Sequence, residues 1–198
     1  MRAVITREYS APPIRRREIL RYMGCRDSSA ELEALIDRAI SLCEGKLSYK
    51  VCYSELPLEI KDSVCHLGFA EADSRDLAKC LTGCEKTVIF AATVGLEIDR
   101  LILRFGRMEP SLALCLQALG AERIEALCDA FCDEMKARFA TGGKKMRPRF
   151  SAGYGDLPLS LQKEIFASLE CEKRIGLTLN DSLLMSTTKS VTAIIGIY

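Results

Sequence analysis

In the stretch RPRFSAGYGDLPLSLQKEIF, residues 147–166, Arg147 and Arg149 stand just ahead of Gly153, Tyr154 and Gly155, and a helix start follows. Arginine presents a planar fork of donors that can grip a carboxylate at two points. Glycine lets main-chain amides approach a ligand where a side chain would block them. Tyr154 offers an aromatic face, and Pro158 suits the first turn of a helix, whose start carries partial positive charge. Together these groups suit a small zwitterion with a flat ring. The same order also fits an ordinary surface loop, because arginine and glycine turns are not specific to binding.

The other reactive side chains are ten cysteines and a single histidine. Cys80 with Cys84 and Cys128 with Cys132 are spaced to stack two sulfurs on one helix face, but neither pair has the two-residue gap of a structural zinc knuckle. Cys128 and Cys132 continue an apolar stripe with Ala121, Ile124, Leu127, Phe131 and Met135, which predicts small core-filling side chains. His66, in SVCHLGF, is expected to be a strand or loop histidine with a backbone partner. Gly95 sits between a strand and a helix, yet the repeated glycines of a dinucleotide fingerprint are missing, and so is a phosphate loop. No catalytic constellation and no metal ligands are predicted.

Composition narrows the setting. With 28 Lys plus Arg against 27 Asp plus Glu in 198 residues, the formal charge is +1, so no overall field draws the chain to nucleic acid or an anionic membrane. No apolar run reaches the roughly 18–20 residues of a membrane span, and the start MRAVITREYSAPPIRRREIL lacks the apolar core and cleavage site of a signal peptide. A cytoplasmic location and reduced thiols are the expectation.

The elements that must position these groups follow from periodicity. SAPPI, residues 10–14, forbids helix locally. RRREILRYMG is a short amphipathic helix closed by Gly24, its basic face solvated. SSAEL offers a capping box, Ser28 with Glu31, ahead of Leu32, Leu35, Ile36, Ala39 and Ile40 at helical spacing. KLSYKVCYSEL alternates, with Leu47, Tyr49, Val51 and Tyr53 on one face, which predicts a half-buried strand. DSVCHLGF is assigned as its neighbour. A short helix over 74–81 ends at Gly83, and KTVIFAATVG is apolar on both faces, the pattern of a central strand. LEIDRLILRFG is a helix, Pro110 opens a long helix or broken pair over 111–139, and Gly142 and Gly143 stop it. A helix over 159–169, a strand at RIGLTL, a turn at NDS and a closing strand at SVTAIIGIY complete the chain. The irregular mixture predicts an α+β fold with a mainly antiparallel or mixed twisted sheet and flanking helices. Residues 1–24 form an N-terminal arm and short helix, and 25–198 the domain proper.

RFSAGYGDLP, read as Arg-x-x-x-Gly-Tyr before a proline and a helix, together with IGLTLNDSLLMSTTKSVTAIIG, resembles the activation (reactivation) domain of cobalamin-dependent methionine synthase, in its free-standing short form. IFAATVGLEIDRLI and LGAERIEALCDAF resemble the same family. The similarity is clear over 85–198 and loose before it. It implies a single C-shaped α+β domain that binds S-adenosylmethionine in a shallow groove and supports reductive methylation of a corrinoid in methionine biosynthesis. The cobalamin is held by a corrinoid-binding methionine synthase chain, and an electron donor such as a flavodoxin reduces it. Cobalt(I) is a strong nucleophile and the sulfonium an activated leaving group, so positioning suffices and no catalytic residues are needed.

Position by position, the resemblance makes Arg149 the residue that holds the ligand, with Gly153 and Tyr154 as its Gly-Tyr. Phe150, Ser151 and Ala152 supply adjacent main chain, and Glu125 is an acidic contact from the long helix. The family's later aromatic contacts fall beyond Tyr198, so one groove wall is expected to be open. Two other readings stand beside this one. One is a non-catalytic module that docks on a corrinoid protein without binding S-adenosylmethionine, and the other is a cysteine-based metal or redox protein, which the ligand spacings disfavour.

Overall fold

The computed structural model describes residues 3–198. In chain order the first elements are β1 (Ile5–Tyr9), α1 (Arg16–Tyr22), α2 (Ala30–Cys43), β2 (Tyr49–Pro57), β3 (Glu59–Lys61), β4 (Val64–His66), β5 (Glu71–Asp73), α3 (Arg75–Cys80) and β6 (Lys86–Thr93). There follow α4 (Glu97–Phe105), α5 (Pro110–Ala140), a 3-10 turn (Leu159–Leu161), α6 (Gln162–Leu169), α7 (Cys171–Ile175), β7 (Thr178–Leu179), β8 (Met185–Ser186) and β9 (Ser190–Ile197). An α+β class with antiparallel sheets and flanking helices is what the sequence predicts. Among the described residues no helix is long and apolar enough to cross a membrane.

The main sheet has the order β1-β2-β6-β9, every pair antiparallel. Because β6 is apolar on both faces, it builds two cores. Val88, Phe90 and Ala92 face α1, α2, α4 and α5, whereas Ile89 and Ala91 face α3, α6, α7 and the small β3-β4-β5 sheet. Phe131 of α5 seats on the first face, its ring centroid 4.7 Å from Phe90 and 5.3 Å from Tyr53. Ile165 and Leu169 of α6 with Leu77 and Leu81 close the second. Each such large apolar side chain contributes roughly 1.5–3 kcal/mol by leaving water.

Pro110 opens α5 and the helix runs unbroken for 31 residues, about 46 Å at the usual rise. Leu112, Leu116, Leu119, Leu127, Phe131 and Met135 all turn inward along it. Cys128 and Cys132 fill gaps in that same face as free thiols.

Several local expectations change. Ser29, not Ser28, caps α2: its Oγ accepts the Leu32 amide at 3.2 Å, while Ser28 Oγ donates to Glu33 at 2.5 Å. DSVCHLGF does not neighbour KLSYKVCYSEL; β4 lies in the separate small sheet, because a tight turn at Asp62 and Ser63, both with positive φ, folds it back on β3. The neighbours of β2 are β6 and β1, the latter an edge strand that the pattern ITREY does not announce. With its second face packed as well, β2 buries Cys52 and Ser54 and is not half-exposed. RIGLTL is mostly not strand: Arg174 and Ile175 finish α7, Gly176 reverses the chain in the left-handed region, and only Thr178–Leu179 pair with β8.

Candidate functional site

The segment before the Gly-Tyr loop runs antiparallel along the outer edge of β9. Arg147 donates its amide to Gly196 at 2.9 Å, and Phe150 exchanges both main-chain bonds with Ile194 at 2.9 and 2.8 Å. This pairing fixes the direction of Arg149, which lies between them. Its Nη2 donates to Glu125 Oε2 at 3.0 Å and to Asp129 Oδ1 at 3.2 Å, two carboxylates one turn apart on α5. The Arg149 side chain is 27% exposed. Burial opposes its charge, but its neighbours more than offset that, so the guanidinium is held charged. Burial also pushes the Cys128 thiol up, which leaves Glu125 and Asp129 as the balancing anions at neutral pH.

Beyond Arg149 the loop is bolted to α3. Gly153 has φ +89, and Gly155, with φ +54, lies so near α3 that a Cβ there would collide with Asp76 Oδ2. Asp156 then accepts the Arg75 amide at 2.8 Å, the Asp76 amide at 3.3 Å and the Ser74 hydroxyl, capping α3 from outside its own sequence. Main-chain bonds from Tyr154 to Ser151 and from Leu157 to Tyr154 close the turn. Tyr154 is left 71% exposed over the loop.

Glu125, Arg149, Phe150, Ser151 and Tyr154, with Val191 of β9, line one cavity of about 300 Å3. That is near the lower end for small-molecule sites, enough for part of a nucleoside-sized ligand with the remainder in solvent. Five of the seven residues singled out in the sequence therefore meet around one space. Ala152 is buried and Gly153 packs toward Leu159, so these two shape the loop without lining it. Arg147 points elsewhere: its Nη2 donates to the Thr82 carbonyl at 2.8 Å and its guanidinium stacks 4.3 Å from the Tyr198 ring centre. His66 sits on β4 with Nδ1 3.1 Å from Glu71 across the strand pair, so its partner is a carboxylate and not the backbone.

Sequence reasoning missed Asp129, Val191 and the arm residue Arg15, whose Nη1 reaches Asp129 Oδ2 at 2.8 Å. Asp129 was findable, since it follows Glu125 by one helical turn. A larger cavity, about 580 Å3, lies under the N-terminal strap and is lined by Pro12, Ile40, Leu47, Tyr49, Leu119 and Arg123 among others. Its buried cation has its donors committed. Arg123 bonds Glu122 at 2.6 and 2.7 Å and the carbonyls of Pro12 and Pro13 at 2.5 and 2.9 Å.

No protein-family profile matches this chain, and no curated protein does. Among solved structures the chain is similar to the crystal structure of the MetH reactivation domain bound to AdoHcy. The TM-score is 0.72, 98% of this chain and 78% of that chain are covered, and the sequence identity is 16%. At that identity the likeness establishes the fold.

Proposed function

We propose that this protein binds S-adenosylmethionine at the Arg149–Tyr154 loop and serves as a reactivation subunit for the corrinoid of a cobalamin-dependent methionine synthase, in methionine biosynthesis. The observation that carries the reading is the convergence of Glu125, Arg149, Phe150, Ser151 and Tyr154 on one cavity, in a fold like that of a domain solved with AdoHcy. Arg149 receives the ligand's carboxylate, exchanging it for one of its bonds to Glu125 or Asp129. The carboxylate so released faces the ligand's ammonium or sulfonium, and the exposed Tyr154 ring offers a face to the adenine. The turn bolted to α3 holds these groups in place before the ligand arrives, which lowers the ordering cost of binding. A corrinoid on a partner chain would supply the nucleophile for the methyl group, and this chain's task is orientation. Its partners in this reading are that corrinoid-binding chain, in a cytoplasmic setting, and an electron donor such as a flavodoxin.

The second reading, a docking module without the ligand, is favoured by one feature: Arg149 already pairs with two carboxylates, and in that reading its role is wholly structural. Calorimetric titration of S-adenosylmethionine separates the two. A charge-assisted bond to the ligand carboxylate is typically worth about 1.5–3 kcal/mol, so Arg149→Ala should weaken binding roughly 10- to 150-fold with the fold intact. Equal affinity of variant and wild type removes the loop from the site, and no binding by the wild type favours the docking module.

A further inference from the structure

Arg15 stands outside the cavity yet completes its charge arrangement. Its Nη1 donates to Asp129 Oδ2 at 2.8 Å while Arg149 donates to the other oxygen, Oδ1, at 3.2 Å, so one carboxylate is shared by two guanidiniums. Arg149 is shared in turn, its Nη2 also reaching Glu125 at 3.0 Å. Arg15, Asp129, Arg149 and Glu125 thus form an alternating row that runs to the cavity from the strap ahead of α1, where the Arg15 Nε also lies 3.4 Å from the buried Glu122, itself neutralised by Arg123. Any ligand carboxylate must compete with Asp129 and Glu125 for Arg149. The strength of that competition depends on how much of Asp129 is engaged on its far side.

We propose that Arg15 is a positioning residue for the carboxylate end of the ligand: by holding Asp129 from behind, it keeps Arg149 free to bind a carboxylate. The inference rests on the reading of the Arg149 cavity as the binding site. Arg15 can be altered without moving its segment. Its main-chain amide donates to Glu122 at 3.1 Å, and the preceding Pro12 and Pro13 carbonyls are held by the buried Arg123, so the strap stays docked when the side chain is shortened. Removing Arg15 leaves Asp129 wholly to Arg149 and strengthens the internal pair at the ligand's expense. Removing the charge of Asp129 does the reverse. Once Asp129 is neutral, Arg15 has nothing to transmit.

The test uses full-length protein and two ligands, S-adenosylmethionine and its decarboxylated analogue, and reads the ratio of their affinities. With side chains partly exposed, the effects are modest. Arg15→Gln should lower the ratio about 3- to 5-fold, Asp129→Asn should raise it by a similar factor, and Arg15→Gln added to Asp129→Asn should leave it unchanged. Arg16→Gln is the control: Arg16 carries the same charge at the next position, the first of α1, but pairs with Glu33 and Asp37 on α2, and its loss should do nothing. An unchanged ratio in Arg15→Gln, or the same loss in both Asp129 backgrounds, overturns the proposal. The Nε–H resonance of Arg149, assigned by its loss in Arg149→Lys, gives a readout without ligand. It should shift on Arg15→Gln but not when Asp129 is already asparagine. If it does so in a protein that binds neither ligand, the relay stands and the reading of the cavity fails; if it does not, the relay itself is wrong.

Discussion

Glu122 and Arg123 are consecutive residues of α5, and both side chains are almost wholly removed from solvent, at 0% and 3% exposure. The carboxylate accepts three guanidinium bonds, two from Arg123 and a longer one from Arg15, as well as the Arg15 amide. A buried pair of this kind gains little over apolar packing, but breaking it leaves an uncompensated charge. Glu122→Gln should therefore cost about 3–5 kcal/mol, read as a lower urea midpoint at unchanged slope. Arg16→Gln, at an exposed pair, should leave the midpoint where it is. Nothing in AERIEAL marks Glu122 as buried, because the strap that covers it comes from the other end of the chain and no periodicity on α5 registers that. Arg149 and Tyr154 were singled out by residue type and order, and Glu125 only by the family resemblance. Asp129 was within reach as the residue one helical turn after Glu125, but Arg15 was not, since a carboxylate shared between two distant guanidiniums is a fact of three-dimensional charge placement.

The loop of the candidate site depends on a contact between two distant elements, Asp156 capping α3. The Ser74 hydroxyl, followed by the amides of Arg75 and Asp76, holds the Asp156 carboxyl below its usual value. A depressed value means stability that is present above the unfolded value of about 3.9 and lost as pH falls through the lowered one. Asp156→Ala should lower the thermal midpoint by a few degrees at neutral pH, loosen the 153–156 turn and weaken S-adenosylmethionine binding. The gap in thermal midpoint from wild type should narrow as pH falls below about 3.9, and a gap that stays constant through acid would mean the aspartate acts otherwise. Elements with strong internal patterns were the legible ones: β6 by its two apolar faces, α2 by its stripe, α5 by Pro110 and the stop at Gly142. Those set by distant partners were not. The strand β1 exists because β2 offers it an edge, and RIGLTL becomes helix and turn because Gly176 takes φ +70 after α7 has packed beneath the sheet.

Across the molecule the cysteines act together. Seven of the ten, Cys43, Cys52, Cys65, Cys115, Cys128, Cys132 and Cys171, are buried, and they lie in both cores, on either side of the main sheet. Burial pushes Cys43, Cys65, Cys115 and Cys132 each up to about 11. Cys171, whose thiol shares a hydrogen bond with the free thiol of Cys52, is raised further by that bond and by burial, and the same bond lowers Cys52. In an unfolded chain each thiol titrates near 8.5, so over the interval above that the unfolded state sheds protons that the native state retains. Stability from these groups is complete below about pH 8.5 and declines as pH rises toward 11. Tyr9, raised by burial and by its bond to Glu134, adds to the loss above pH 10. Urea unfolding under reducing conditions should give a midpoint that is level from pH 7 to about 8.5 and then falls continuously. Cys43, Cys65, Cys115, Cys128, Cys132 and Cys171 should resist alkylation in the native protein at pH 8, where the same thiols in urea react at once. A midpoint level through pH 10, or alkylation of Cys43, Cys65, Cys115 or Cys132 in the folded protein at pH 8, would show that these sulfurs are neither as dry nor as inert as their positions in the two cores require. Because Cys43, Cys115 and Cys132 on one side of β6 and Cys65 on the other are raised to similar values, both cores lose stability over one interval, and the alkaline transition should be a single cooperative event with the signals of the two cores falling together.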